Sequence, residues 1–351
     1  MEKLIPTIKG RGSAENPPNR FEKIEYIPEP EEIEQGVSPT TVFYKDNSRS
    51  IIAYNDSPDV GFDASINPYR GCEHGCIYCY ARPTHEYLGL SAGLDFETKI
   101  FVKEDAPELL RRELSSPKWQ PQTLAISGVT DPYQPAEKHF RLTHECLKVL
   151  AEFRNPVGIV TKNYLVTRDI DILKELAEYQ AVVVALSITT LNPKLAGVME
   201  PRASQPALRL KAIEQLSANS IPVMVLIAPV IPGLTDHEIP QIIERAVDAG
   251  AQQAGYVMLR LPYGVADLFQ NWLDRHFPYK KSKILSRIQS IRKGKLNSPE
   301  FYERMKGEGV FAEQVNSLFT VSCRKARIEG NKIQLSQAAF RRPGDTQLKL
   351  F

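Results

Sequence analysis

Three cysteines in the run Asn67-Pro-Tyr-Arg-Gly-Cys72-Glu-His-Gly-Cys76-Ile-Tyr-Cys79-Tyr80 are the residues of this chain best suited to chemistry. The spacing Cys-x3-Cys-x2-Cys lets one compact loop present three thiolates to one metal site. A cubane iron–sulfur (4Fe-4S) cluster is usually held by four cysteines. Three ligands leave one iron open, and an open position on a metal is where an exogenous molecule binds and reacts, as at a catalytic zinc. The rival set in the same loop is zinc held by Cys72, His74, Cys76 and Cys79. There His74 stands two residues from a ligand on either side, which strains a tetrahedral site.

Such a loop needs a scaffold, and the chain supplies one in repeating form. Strands are expected at Ala64–Tyr69, Thr123–Ser127, Val157–Thr161, Ala181–Ser187, Pro222–Ala228 and Tyr256–Arg260, several of them continuous apolar runs suited to a parallel sheet buried on both faces. Helix signals lie between them. Thr167 is a candidate cap for Ile170, Leu173 and Ala177, and Ser204 with Pro206 opens a second helix. Thr235-Asp-His-Glu238 reads as a capping box before a third, which Gly250 closes. Six parallel strands alternating with helices predict an α/β fold, a partial (β/α)6 TIM-like barrel over residues 61–265, with the cysteine loop directly after the first strand at the C-terminal face. Residues 1–60 read as an irregular arm with one short strand near Thr41–Tyr44, and residues 266–351 as a basic, mainly helical region.

The cysteine motif, with Tyr78 just before the third cysteine, resembles the signature of the radical S-adenosylmethionine (SAM) superfamily. That resemblance implies a 4Fe-4S cluster on Cys72, Cys76 and Cys79 whose open iron binds SAM. It also implies an electron donor such as flavodoxin or ferredoxin, and cleavage of SAM to methionine and a 5′-deoxyadenosyl radical. SAM needs polar groups at the strand ends. Thr130 and Asp131 can accept from its ammonium, Lys162 and Arg202 are candidates for its carboxylate, and Ile231 and Gly233 for its adenine; a salt bridge from Arg202 to Glu200 is the plainer alternative.

Over about residues 64–265 the chain is also similar to spore photoproduct lyase and its bacterial relatives. The shared points are Tyr78 and Tyr80, Thr130-Asp131, Thr161-Lys162, Ser187, Glu200-Pro201 and Ala228-Pro229. By that resemblance Tyr78, Thr130, Lys162, Ser187 and Ala228 contact SAM, and Tyr80 faces the substrate. The lyase returns a hydrogen atom from a cysteine near the position of Gly128, and no cysteine stands within ten residues of it here. Tyr80 and Tyr133 are the candidate donors in its place.

Composition is that of an ordinary globular protein, with 351 residues, 42% hydrophobic, 25% charged and a net charge of +2. No apolar stretch approaches the ~20 residues a membrane helix needs, and the start lacks a signal-peptide core, so a cytoplasmic protein with no membrane partner is expected. Arg275 to Lys295 holds eight Lys/Arg and no acid, with Ile284, Leu285, Ile288 and Ile291 at helical spacing. It predicts an amphipathic basic helix, read either as a solvated face or as a DNA contact. The last residues, Gln347-Leu-Lys-Leu-Phe351, resemble the peptide that docks on the DNA sliding clamp. Three functions follow: a radical SAM enzyme acting on nucleic acid, one acting on a protein or metabolite, or a non-catalytic metal-binding adaptor for DNA and the clamp.

Overall fold

A computed structural model describes residues 8–22 and 39–343. Strands β1 (Val42–Lys45) and β2 (Ile52–Tyr54) precede the short pair β3 (Ala64–Ile66) and β4 (Tyr69–Arg70). Then come β5 (Lys99–Val102), β6 (Leu124–Ile126), β7 (Val157–Thr161), β8 (Val182–Ser187), β9 (Val223–Val230) and β10 (Gln253–Met258). The main sheet runs in the order β10-β9-β8-β7-β6-β3-β2. Its six strands β3, β6, β7, β8, β9 and β10 are all parallel, each beside the next in sequence. A singly wound order keeps every crossover helix on one face, which curves the sheet as in a (β/α) barrel. Strand β2 pairs antiparallel on the β3 edge, and β1-β5-β4 form a second, small sheet beside the cysteine loop.

The expected burial on both faces is only partly met: Val157, Ile159, Val182, Val184, Val223, Val225 and Ile227, at alternate positions, are fully buried in one core with the crossover helices, whereas Gly158, Val160, Val183, Met224 and Leu226 on the other face are only partly buried. The helices start elsewhere than at the expected caps. Asn163, not Thr167, caps the turn Tyr164–Asp169, accepting from Leu165 N, and the helix Ile170–Glu178 continues it. The Thr235-Glu238 box does not form. Thr235 Oγ1 accepts from Ile231 N, and the Glu238 carboxylate accepts from Thr190 Oγ1 and Leu191 N, tying two crossovers together. Gly250 does end that helix, at φ +105.

The basic run 275–295 is not one helix. Pro278 has no N–H to donate and disfavours helical backbone at Phe277, so the helix Val265–His276 stops there and a second runs over Lys281–Ser290. Ile284, Ile288 and Ile291 are buried as their spacing predicts, but so is Arg292. The helix Gly309–Lys325 then packs on Ile239–Asp248.

Both ends of the described chain lie across the body without regular structure. Residues 8–22 run along the cysteine loop. Residues 331–342 cross the opposite edge of the sheet, where Asn331 bonds Gln252 O, Ser336 N bonds Gln180 O, Arg341 N bonds Phe153 O and Arg342 bonds Trp119 O. Those four acceptors precede β10, β8, β7 and β6 in turn, so this strap laces the N-terminal ends of the strands. Among the described residues no helix is long and apolar enough to cross a membrane.

Candidate active site

The cysteine loop leaves β4 through Gly71, at φ +81. A Cβ there would lie 2.8 Å from the His85 ring and 3.0 Å from Phe96 O, so only glycine fits. Backbone bonds then hold the loop from several sides: Cys72 N to Phe96 O at 2.9 Å, Ile77 N to Met199 O at 3.0 Å and Arg202 N to His74 O at 3.2 Å. Under it lies a fully buried ion pair. Arg82 donates to Glu97 at 2.5 Å and to the Cys76 carbonyl at 3.0 Å, while Glu97 also accepts from Gly12 N and Ser13 N. Residues 8–22 are thereby pinned to the metal loop through a carboxylate.

Cys72 and Cys76 are buried, Cys79 is partly so, and all three are free thiols. Burial pushes each thiol up; Asp131 and the neighbouring cysteines add to this at Cys72, Glu200 adds to it at Cys76, and Arg82 opposes it at Cys79. A bound iron centre reverses that cost, because its own positive charge stabilises thiolates. Two buried sulfurs and a partly buried third on one clamped loop therefore suit a metal centre that carries positive charge. The zinc set is not assembled. His74 has Nδ1 3.3 Å from Asp131 Oδ2 and Nε2 3.1 Å from Asn163 Nδ2. Among the described residues no three His, Cys, Asp or Glu side chains converge as one metal ion requires, whereas a cubane spreads its ligands, one per iron.

Four of the expected SAM residues meet at neighbouring strand ends. Lys162 Nζ donates to Ser187 Oγ at 2.5 Å and to Ala228 O at 3.0 Å, and lies 5.9 Å from the centroid of the Tyr78 ring. The Tyr78 hydroxyl donates to Glu200 and lies 3.2 Å from Thr189 Oγ1. Glu200 is the hub, taking Thr189 Oγ1 at 2.8 Å and the buried guanidinium of Arg209 as well. Burial alone would raise its carboxyl, but Arg209 and then Lys162 bring it down to about 2. Arg209 and Thr189 carry no motif, yet Arg209 left a trace: with Ala212, Ile213 and Leu216 it occupies the apolar stripe of the helix Pro206–Ala218.

The other candidates are dispersed. Thr130 Oγ1 donates to Tyr69 O at 2.9 Å, and Asp131 accepts from Thr161 Oγ1 at 2.7 Å and Lys162 N at 2.8 Å, so both stitch strand ends together. Arg202 pairs with Glu73 at 2.9 Å rather than Glu200, and lines a separate cavity of about 460 Å³ with Arg11 and Thr41. Ile231 is buried in the apolar cluster that also holds Cys76 and Tyr78, and Gly233 N donates to Asp236 at 2.7 Å with Arg287 beside it. The two tyrosines part company. Tyr80 is 46% exposed and donates to Gly128 O at 3.0 Å. Tyr133 is 0% exposed and donates to Asp169 at 3.0 Å, in the core rather than the mouth.

A family model described as Radical SAM superfamily matches residues 66–246. An uncharacterized protein of Mycobacterium tuberculosis (strain ATCC 25618 / H37Rv) is 36% identical over 248 residues, covering 70% of this chain and 72% of its own. The radical SAM Nalpha-GlyT isomerase of Pseudomonas phage M6 is 24% identical, covering 62% of this chain and 44% of its own. Among solved structures, a spore photoproduct lyase variant shares the fold with a TM-score of 0.56 at 14% identity, over 85% of this chain and 82% of that one.

Proposed function

The chain belongs to the radical SAM superfamily of enzymes, and from that membership we propose that it holds a 4Fe-4S cluster on Cys72, Cys76 and Cys79, cleaves SAM reductively and acts on nucleic acid. The observation that carries this reading is the placement of the three-thiol loop at the C-terminal edge of the parallel sheet, joined through Tyr78 to the Lys162–Ser187–Ala228 cluster. When bound, the cluster supplies the electron that breaks the sulfonium bond of SAM. The chain's own residues bind and exclude. Lys162, with Ser187 and Ala228 O, offers a cation and polar groups to the amino acid end of SAM. Ile231, buried in the same apolar cluster as Cys76, keeps water from that side. Tyr80 is the tyrosine placed to return a hydrogen atom to a substrate; Tyr133, enclosed in the core, is not.

The nucleic-acid assignment draws on the lyase-like fold and on the turn Pro278–Lys280, where Tyr279 is fully exposed beside Lys280 and Lys283. An exposed ring among lysines suits stacking on a base with phosphates alongside. A target base in a duplex would have to leave its stack to meet the radical. A flavodoxin or ferredoxin would provide the electron. The sliding-clamp peptide Gln347–Phe351 lies outside the described residues, and docking on the clamp would bring the enzyme to replicating DNA.

Anaerobic reconstitution with iron and sulfide, followed by reduction and addition of SAM, tests the reading. The expected result is 5′-deoxyadenosine that acquires deuterium from labelled DNA. Nucleoside formation stimulated by a metabolite and indifferent to DNA would move the substrate assignment. An intact cluster that never cleaves SAM would leave only an adaptor.

A further inference from the structure

Just past the end of β10, beside the tyrosine that follows Cys79, stands a cation that no carboxylate among the described residues pairs directly. The Arg260 guanidinium lies 5.2 Å from the Tyr80 ring centroid, and its one hydrogen bond among the described residues is a 3.8 Å contact from Nη1 to Met305 Sδ. Its Nε is buried without a partner, and among the described residues no carboxylate lies within ion-pair distance of it. Its neighbours deepen the imbalance. Arg292 spends its donors on the carbonyls of Leu259, Glu303 and Arg304 at 2.6–2.9 Å. Arg304 takes the nearby carboxylate, Asp59, at 2.5 Å.

Among the described residues two acids stand near the three guanidiniums, and both are engaged: Asp59 by Arg304, and Glu303 by Lys293 at 2.8 Å. Burial and then Arg304 lower the pKa of Arg260, and burial and then Arg260 lower that of Arg292 to about 10. A half-buried arginine with unfilled donors loses hydration without compensation, and this one is held in place by an aromatic face rather than by an acid. Buried pairs elsewhere in the chain show that a carboxylate could have been supplied.

We propose that Arg260 is the anion anchor of the substrate site, gripping a phosphate group of the substrate over Tyr80 and beside the Cys79 corner of the ligand loop. A planar fork of donors matches a phosphate oxyanion bidentately, and the neighbouring guanidiniums of Arg292 and Arg304 add to the positive field there. For the carrier of that phosphate the proposal rests on the nucleic-acid reading above, where it would be a phosphodiester flanking the target base.

The test uses the full-length, cluster-loaded protein in two arms. One titrates inorganic phosphate and maps, by mass spectrometry, which arginines it shields from phenylglyoxal. The other measures binding of a short single-stranded oligonucleotide against salt concentration, for the native protein, R260Q and R260K. Shielding of Arg260 is expected. R260Q should bind the oligonucleotide about tenfold more weakly and lower the salt slope by about one, with R260K recovering the slope but not the full affinity. Equal affinity and slope in R260Q and native protein, with no shielding of Arg260, would overturn the anchor and leave the nucleic-acid reading standing. Shielding without oligonucleotide binding would keep the anchor and remove nucleic acid. Neither would remove both.

Discussion

The two sides of Cys79 treat charge in opposite ways. Beneath the ligand loop three arginines have carboxylate partners, Arg82 with Glu97, Arg209 with Glu200 and Arg202 with Glu73, and Arg11 spends its Nη donors on Glu97 O, Pro39 O and Thr41 Oγ1. Toward the mouth, no carboxylate among the described residues lies within ion-pair distance of Arg260. A buried cation left single is costly, so the loop side is built to be finished in the folded chain and the mouth to be finished by something else. The contrast separates architecture from recognition more sharply than residue type does, since arginine serves both.

The largest effect should come from unbalancing the finished side. Replacing Glu97 by Gln leaves Arg82 buried beside a neutral amide and weakens the anchor of Gly12 and Ser13. A loss of about 3–5 kcal/mol is expected in urea unfolding of the iron-free protein. A loss below about 1 kcal/mol would erase the contrast.

A second, smaller effect is set by pH. His85 donates from Nε2 to Lys99 O at 2.8 Å, and burial lowers its pKa to about 4. The unfolded chain takes up the proton near 6.5 and the folded one refuses it until about 4. The stability it confers is therefore complete above 6.5 and is lost as pH falls toward 4. About 2 kcal/mol should disappear between pH 7 and pH 5, and H85Q should flatten that part of the profile.

The smallest effect belongs to the exposed turn. Replacing Lys280 and Lys283 by Gln should lower the salt slope of oligonucleotide binding by about one each, without changing SAM cleavage in the absence of DNA. An unaltered slope would return this turn to a merely solvated face and leave the mouth as the nucleic-acid contact.

Much of the scaffold was legible in the chain. Val157–Thr161 reads off its apolar run residue for residue, and Val182–Ser187 is shorter by one at its start, because continuous β-branched runs mark a strand even where its second face is only partly covered. The last strand was displaced further, Gln253–Met258 against Tyr256–Arg260, since polar Gln252-Gln253 hides its start. The cysteine loop and the meeting of Tyr78, Lys162, Ser187 and Ala228 were visible as a motif and as successive strand ends. Pairings across long sequence distance were not. Glu97 meets Gly12 and Ser13 from 85 and 84 residues away, and the choice of Glu73 over Glu200 by Arg202 depends on how two loops pack. Side chains that look equivalent in a row, such as Tyr80 and Tyr133, are separated only by which face of the fold they enter.

The strap of residues 331–342 makes its last contacts at the pole remote from the thiols, behind the starts of β6 and β7. An assembly gripping this strap would hold the chain by its back. The enzyme could then be leashed to a moving platform while its reactive face stayed free to search what passes in front.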